Sequence, residues 1–592
     1  MYIRQRKVSP AEVGKLTRRI RVAQKLEQAD LLIKNARVVN VFTREVLERE
    51  VAVADGIICG LYAPGQGPDA ASIVDADGRY LLPGLIDAHT HVEMAYVTAT
   101  RFAEAILPWG TTTVMIDPHD TSNVMGNEGI GIMAHEMAGL PIKTFYNTPP
   151  CVPSAPTLED AGFSVTLDSL SESADLPLVA GVAETMDFGR VLSCEDEMMR
   201  MLTFARQNEL LIDGHAPGVL GDAANAYFGA GPIRTDHESV TVEEMLEKYE
   251  LGVHVIIRRG SLSEPASAGE FVSKLRDTSR VLLATDGCIS PSDIVARGHM
   301  NFAMAQVVAE GVDPMVAVQM GTINVARAYR IDHRVGAVAP GYEADMVLVD
   351  DLKDFRAHTV FVNGKKISRG LSLASYQYPA NALKTIRLEP ITPEDLAIPA
   401  EDGAHTVNVI GMIDGTVATT LETETMQAAG GAIAADASRD LLKTAVFERY
   451  GRGKGHSVGI VRGFGMKRGA IAGSIGQDTQ NMAAVGASDA DMAAAVNAVI
   501  EMQGGVALVA DGELLARVSM PVFGIMSDKP IPEVARELEE FQRAYESLGG
   551  TLSDAVFTLS LQLTLAVIPD GGISNRGLVR VADSQFIPVV AD

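Results

Sequence analysis

The sequence is short of cysteine. Four occur in 592 residues, at positions 59, 151, 194 and 288, and no two form a CxxC pair. That spacing excludes a disulfide-stapled scaffold and a thiolate zinc ribbon. An excess of positive charge is also missing: 50 Lys and Arg against 76 Asp and Glu give a formal charge of −26. Such a surface repels a phosphate backbone unless a local basic stripe forms. The basic runs, "RRIR" at 18–21 and "MKRG" at 466–469, are short and read as solvated surface, so no nucleic-acid partner is expected. No continuous apolar run is long enough to cross a bilayer. The opening segment also lacks the apolar stretch of a secretory signal, so a cytoplasmic protein with no membrane partner is expected. Aromatic residues are sparse at 5% within a hydrophobic content of 47%, the composition of a soluble globular chain rich in Ala, Val, Leu and Gly. Its length calls for about three domains.

What is present falls into distinct styles along the chain. Residues 1–28 read as a polar helical arm beginning near Ser9-Pro10. Short strands separated by Gly and Asp-Gly turns follow at 29–83, and the same style returns at 335–385, ending in an Asn-Gly hairpin signal. Together these stretches read as a small β-sandwich. Between them, over 84–334, buried-strand runs alternate with helical stretches, the signature of βα units around a parallel sheet. Eight strand candidates are counted: 84–89, 112–117, 143–147, 178–184, 210–215, a short one at 233–237, 253–258 and 281–286. Eight such units over about 250 residues make a (β/α)8 barrel, with its active site at the C-terminal strand ends. The expected fold is therefore α/β: a barrel inserted in a β-sandwich, followed by a C-terminal α+β domain over 386–592. That last region carries helical runs at 487–502 and 531–549.

The strand ends hold the chemistry. "PGLIDAHTHVE" (83–93) runs an apolar strand into His89, His91 and Glu93. In an extended chain the two histidines share a face about 7 Å apart, within reach of one cation. Strand two is followed by Asp117, His119 and Asp120. Strand four ends in Glu184, strand five in His215, strand six at His237 and strand eight in Asp286. One histidine alone is more often a satisfied structural residue, but five of twelve at one barrel rim point to a metal centre. Imidazole and carboxylate without thiolate suit Zn, Mn or Fe(II). His89, His91, Glu184, His215, His237 and Asp286 are too many for one tetrahedral ion with an open position. They suffice for two ions about 3.5–4 Å apart bridged by Glu184, which would activate a water without any Ser or Cys nucleophile.

This pattern resembles the amidohydrolase superfamily, and within it the bacterial adenine deaminases. The resemblance rests on "PGLIDAHTHVE", "GTTTVMIDPHDTSNVMG" (110–126), "CVPSAP" (151–156), "DGHAPG" (213–218) and "TDHE" (235–238). It extends to "KRGAIAGSIGQDTQN" (467–481) and "MSDKP" (526–530) near the C-terminus. It implies hydrolysis of adenine to hypoxanthine and ammonia by a metal-activated hydroxide. It also implies a purine-sized substrate, two divalent ions (Mn or Fe before Zn) and a homo-oligomer, dimer or tetramer. Departures from the family pattern gather in the loops. "MAY" (94–96) stands where the family has two serines and a Met, and Asp120 replaces a Glu. "DGCIS" (286–290) stands where an Asp-Asp-Arg-His run is usual, and Gln480 and either Gly476 or Gln477 replace two histidines. The metal positions are all kept.

For this reaction Asp286 is the candidate to take the proton of the attacking water and pass it to the leaving amine. Glu93 and Asp120 are the candidates to protonate the ring nitrogen N1, each weighed against a supporting role behind a ligand. His119 is a candidate substrate contact, with roles as a supporting group or a further ligand left open by spacing alone. The runner-up activity is hydrolysis of another amino-heterocycle or a cyclic amide on the same metal site. A barrel kept only as a scaffold would be expected to lose ligands, and all six are in place.

Overall fold

The computed structural model describes residues 8–230, 233–262, 266–453, 455–567 and 570–591. The first seven residues of the expected N-terminal arm lie outside them. The arm is a helix, Pro10–Ala23, with Pro at its first turn and Ser9 in extended conformation before it; of its residues only Val22 is buried. It leads into an eight-stranded sheet to which both flanks of the barrel contribute. Tyr80–Pro83 pairs with Met346–Val349, which continues through Ala357–Val362 to Lys365–Ile367. The chain thus leaves this sheet at Pro83 and returns to it at Met346.

Eight parallel strands lie between those two points. The first five, Leu85–Thr90, Thr111–Ile116, Lys143–Thr148, Val179–Thr185 and Leu211–Gly214, pair in sequence order. The last three, Thr235–Asp236, His254–Arg258 and Val281–Ala284, do the same. The two runs join where Arg234 N donates to Ile212 O at 2.9 Å, and the ring closes where Asp286 N donates to His89 O at 3.0 Å. This is the (β/α)8 barrel. The period of two decides what each strand buries. Ile86, Met115, Phe145, Ile256 and Leu282, one from each of five strands, form one cluster. Their neighbours Leu85, Val255 and Val281 instead pack against Phe271, Met304 and Val307 of the surrounding helices. With both faces covered, residues of both parities along these strands are buried.

The C-terminal region is built on a ten-stranded sheet backed by helices Asp489–Met502 and Ile531–Ser547. Ser488 caps the first of these through Asp491 N, with Asp489 and Asp491 in its first turn, the favourable end for negative charge. This region grips the barrel's third loop. Arg576 Nη2 pairs with Asp160 Oδ1 at 2.6 Å, Asn481 Nδ2 donates to Asp160 O at 2.7 Å and Ser574 Oγ to Leu158 O at 2.6 Å. It also meets the loop after the first strand, where Ser527 N donates to Tyr96 O at 2.9 Å and Thr98 N to Ser527 O at 3.0 Å. Among the described residues no helix is long and apolar enough to cross a membrane.

Candidate active site

The barrel's C-terminal rim brings the strand-end residues together. His89 is the penultimate residue of the first strand and His91 opens a short 3-10 turn, Val92–Ala95, so the chain curls after the strand as the HxH spacing requires. Their Nε2 atoms come to 3.1 Å of one another. Both face Asp286, with Oδ1 at 3.3 Å from His89 Nε2 and 3.1 Å from His91 Nε2. Asp286 reaches that place in the left-handed region, φ 53°, followed by Gly287 at φ 66°; Asp tolerates this conformation better than most residues. Opposite, Glu184 sits near the end of strand four. Its Oε2 is 2.6 Å from His215 Nδ1 and 3.0 Å from His237 Nε2, and its Oε1 is 3.4 Å from His91 Nε2. Gly214 allows this convergence: a Cβ there would lie 2.4 Å from Thr235 O, so the glycine in "DGH" lets strand five approach strand six.

Four overlapping groups of ligand atoms result, each within 4.8 Å: His89, His91, Asp117, Glu184; His89, His237, Asp286; His91, His119, Asp120; and Glu184, His215, His237. All these residues are buried. Burial disfavours charge on Glu184, but the charge of His215 and hydrogen bonds from His119, His215 and His237 hold it well below the usual carboxylate range. Burial works against the imidazolium of His91 too. Its hydrogen bond to Asp286 and the charge of Glu184 nevertheless lift its pKa to about 10, and His237 rises to about 9 for the same kind of reason. The field that draws protons onto these imidazoles is the field that attracts a dication. His215 Nε2 and His237 Nδ1 are buried without a hydrogen-bond partner. Nitrogen and carboxylate donors with no thiolate, in a negative and enclosed setting, fit a divalent metal.

Above the ligands lies a cavity of about 300 Å³. Barrel residues His91, His119, Asp120, Glu184, His215, His237, Glu238, Arg258 and Asp286 form its polar floor. Gln477, Asp478, Phe557, Leu561, Leu565 and Val417 from the C-terminal region form much of its wall. Asp120 is in this lining, and its Oδ1 accepts from Gln480 Nε2 at 2.6 Å. His119 stands between the ligands and the C-terminal region, Nδ1 at 3.2 Å from Glu184 Oε1 and Nε2 at 3.5 Å from Asp478 Oδ1. Glu93 is buried and accepts from Thr121 N at 3.2 Å and Thr121 Oγ1 at 2.6 Å, and it is not part of the cavity lining.

One residue of the site, Arg258, was not named by the strand-end reasoning. Arg258, the last residue of strand seven, donates from Nη1 to Glu238 Oε1 at 2.5 Å and to Asp286 Oδ2 at 2.9 Å. It closes a predicted strand, 253–258, but a guanidinium binds no metal, so reading the strand ends for ligands passed over it. Asp117 accepts from Glu184 N and His119 N at 3.2 and 3.1 Å and lies in the first ligand group.

Comparison with known proteins agrees with this layout. Residues 80–367 match the model of the amidohydrolase family, and residues 416–585 match that of the adenine deaminase C-terminal domain. The adenine deaminase of Archaeoglobus fulgidus is 37% identical over 584 residues, 98% of this chain and 99% of that one. The chain belongs to the adenine deaminase family. Adenine deaminases of Desulforamulus reducens (34% identical, 98% of this chain and 99% of the other) and Oleidesulfovibrio alaskensis (38%, 96% and 98%) match to the same extent. In this adenine deaminase family member the likeness spans both the barrel and the region that walls its cavity.

Proposed function

We propose that the chain hydrolyses adenine to hypoxanthine and ammonia. The observation that carries the reading is the convergence of four histidines and two carboxylates beneath a cavity of purine size, in a chain whose full-length relatives are adenine deaminases. His89, His91, Glu184, His215, His237 and Asp286 are the residues that would hold two divalent ions; manganese or iron is the expected metal. Ions held there supply the Lewis acidity that makes water a nucleophile near neutral pH.

The side chains carry the rest. Asp286 is buried, yet hydrogen bonds from His89 and His91 and the charges of His237 and Arg258 keep its pKa far below the usual range. It is therefore anionic and placed to accept a proton from the water that adds to C6. It returns that proton to the exocyclic amine, which leaves as ammonia. N1 gains a proton from Asp120 as the ring loses aromaticity, and Asp120 recovers one from the C6 hydroxyl as the amine leaves and the carbonyl forms. Burial pushes its carboxyl up to about 7, the charge of Glu93 adding and that of His119 opposing. Arg258 holds Asp286 and Glu238 in place through one guanidinium. Glu93, clasped by Thr121, supports the loop after the first strand. A homo-oligomer in the cytoplasm is the expected setting.

Met94, Cys288 and Gln477 line the cavity where the family pattern places other residues, which favours a second reading, hydrolysis of another amino-heterocycle or cyclic amide. The test separates the two. Manganese-loaded protein is incubated with adenine while the ultraviolet shift to hypoxanthine and the release of ammonia are followed. Turnover lost in Asp286→Asn supports the first reading; two bound metals with no turnover leave the second.

A further inference from the structure

The mechanism leaves Asp478, a buried carboxylate in the cavity, unused. Asp478 lies on the turn between strands Ala470–Gly476 and Asn481–Gly486 of the C-terminal sheet and lines the cavity. It is 5% exposed. Oδ1 faces His119 Nε2 at 3.5 Å, whereas Oδ2 is buried with no hydrogen-bond partner. A buried acceptor without a partner is costly, and because Asp478 lines the cavity its carboxylate is a candidate to take a ligand's donor.

Position narrows what that donor is. His119 turns its other nitrogen to Glu184, so Asp478 and Glu184 face each other across one imidazole ring. Asp120, assigned to N1, also lies near this ring, its Oδ1 3.6 Å from His119 Nε2; in a pose with C6 at Glu184 and N1 at Asp120, the five-membered ring is the part of the purine left to meet Asp478. A carboxylate accepts hydrogen bonds, and on that ring the donor is the N–H that a free base has and an N9-substituted purine lacks. The neighbouring wall is apolar. Gln477 N donates to Ser560 O at 2.6 Å, which brings the segment carrying Phe557, Leu561 and Leu565 beside Asp478. Those three side chains offer a sugar's hydroxyls no partner.

We propose that Asp478 accepts the ring N–H of the substrate, and that it thereby selects free purine bases against N9-substituted ones, nucleosides included. The assignment rests on the adenine-hydrolysing function proposed above. Asp478 is then a specificity residue contributed to the barrel's site by the C-terminal region.

The test uses the full-length, metal-loaded protein. The wild type is expected to bind 9-methyladenine, as a competitive inhibitor, at least about tenfold more weakly than adenine. Asp478→Ala is expected to raise KM for adenine about tenfold or more while kcat changes less than about threefold, the split expected when binding shared by ground and transition states is lost. Its metal content should match the wild type's, and its affinity for 9-methyladenine should be unchanged, so the discrimination disappears. Equal binding of adenine and 9-methyladenine by the wild type overturns the inference without recourse to any variant. A fall in kcat at unchanged KM in Asp478→Ala overturns it as well. Failure of the wild type to turn adenine over is a different result: it removes the proposed function, and this assignment with it.

Discussion

The Nε2 atoms of His89 and His91 stand 3.1 Å apart, and both lie within 3.3 Å of a single oxygen of Asp286. Two ring nitrogens and a carboxylate oxygen pointing at one another are balanced by a shared cation far better than by protons alone. Removing that cation should therefore weaken the barrel as well as stop the reaction. Dialysis against a chelator is expected to abolish deamination and lower the thermal midpoint, since an ion present at 100 times its Kd contributes about 2.7 kcal/mol. Re-addition of manganese should restore both. An unchanged midpoint, together with no metal detected in the untreated protein, would count against the centre.

Asp120 and Glu93 are both buried carboxylates on adjacent loops, yet Asp120 lines the cavity and Glu93 is held by Thr121. Their amides should therefore fail differently. Asp120→Asn is expected to lower kcat by about 10²–10⁴, the range for loss of a general acid. In the wild type Asp120, with a pKa of about 7, is protonated below that pH and loses its proton above it. Activity that depends on this proton declines as pH rises through 7, and the variant should lack that limb. Glu93→Gln should cost less than about tenfold in kcat and instead destabilise by about 1–3 kcal/mol. Steady-state kinetics beside urea denaturation of both variants decide it; a larger kcat loss in Glu93→Gln would reverse the assignment.

Behind His215 and His237 a single ammonium ties their two loops together. Lys248 is fully buried and donates to Ala216 O at 2.7 Å, Asp236 Oδ2 at 2.9 Å and Glu244 Oε1 at 2.7 Å. All three of its protons are used, and Asp236 and Glu244 in turn hold Ala216 N and Gly218 N. Lys248→Met leaves two buried carboxylates uncompensated and is expected to cost about 3–5 kcal/mol. Chemical denaturation measures this, and the metal content of the folded fraction should also fall. A variant as stable as the wild type would show that the network adds nothing net.

The ligands were legible because each is local to a strand end. His89, Glu184, His215 and Asp286 each follow a short strand-like run rich in apolar residues, and barrel geometry brings such ends together whatever the loops do. Asp478 and Phe557 could not be read that way. They reach the cavity because a separate sheet docks on the barrel rim through Arg576, Asn481 and Ser527, and no periodicity in one segment encodes where another segment lands. Arg258 was visible at the end of its strand, but its work depends on Glu238 and Asp286 lying 2.5 and 2.9 Å away. The sixth strand, two residues long, is too short for any alternation to show. Only its place before His237 gave it away.

Glu159 carries the last prediction. It is buried in the third loop, where Oε1 accepts from Ser154 Oγ and Ala155 N, each at 2.8 Å. Burial, with the charge of Asp478 adding, pushes its carboxyl up to about 8. A carboxyl whose pKa is raised in the folded state binds its proton more tightly there than in the unfolded chain. Its stabilising contribution is full below the unfolded value of about 4.5 and is lost as pH rises toward 8, at up to about 1.4 kcal/mol per pH unit. Glu159→Gln keeps an oxygen for Ser154 and Ala155 and removes the titration. The variant should therefore gain on the wild type steadily between pH 4.5 and 8 and hold a constant advantage above. Urea unfolding of the two proteins across that range gives the difference directly. Parallel stability profiles would mean that Glu159 stays ionised in the fold, with its charge offset by Arg576 rather than by a proton.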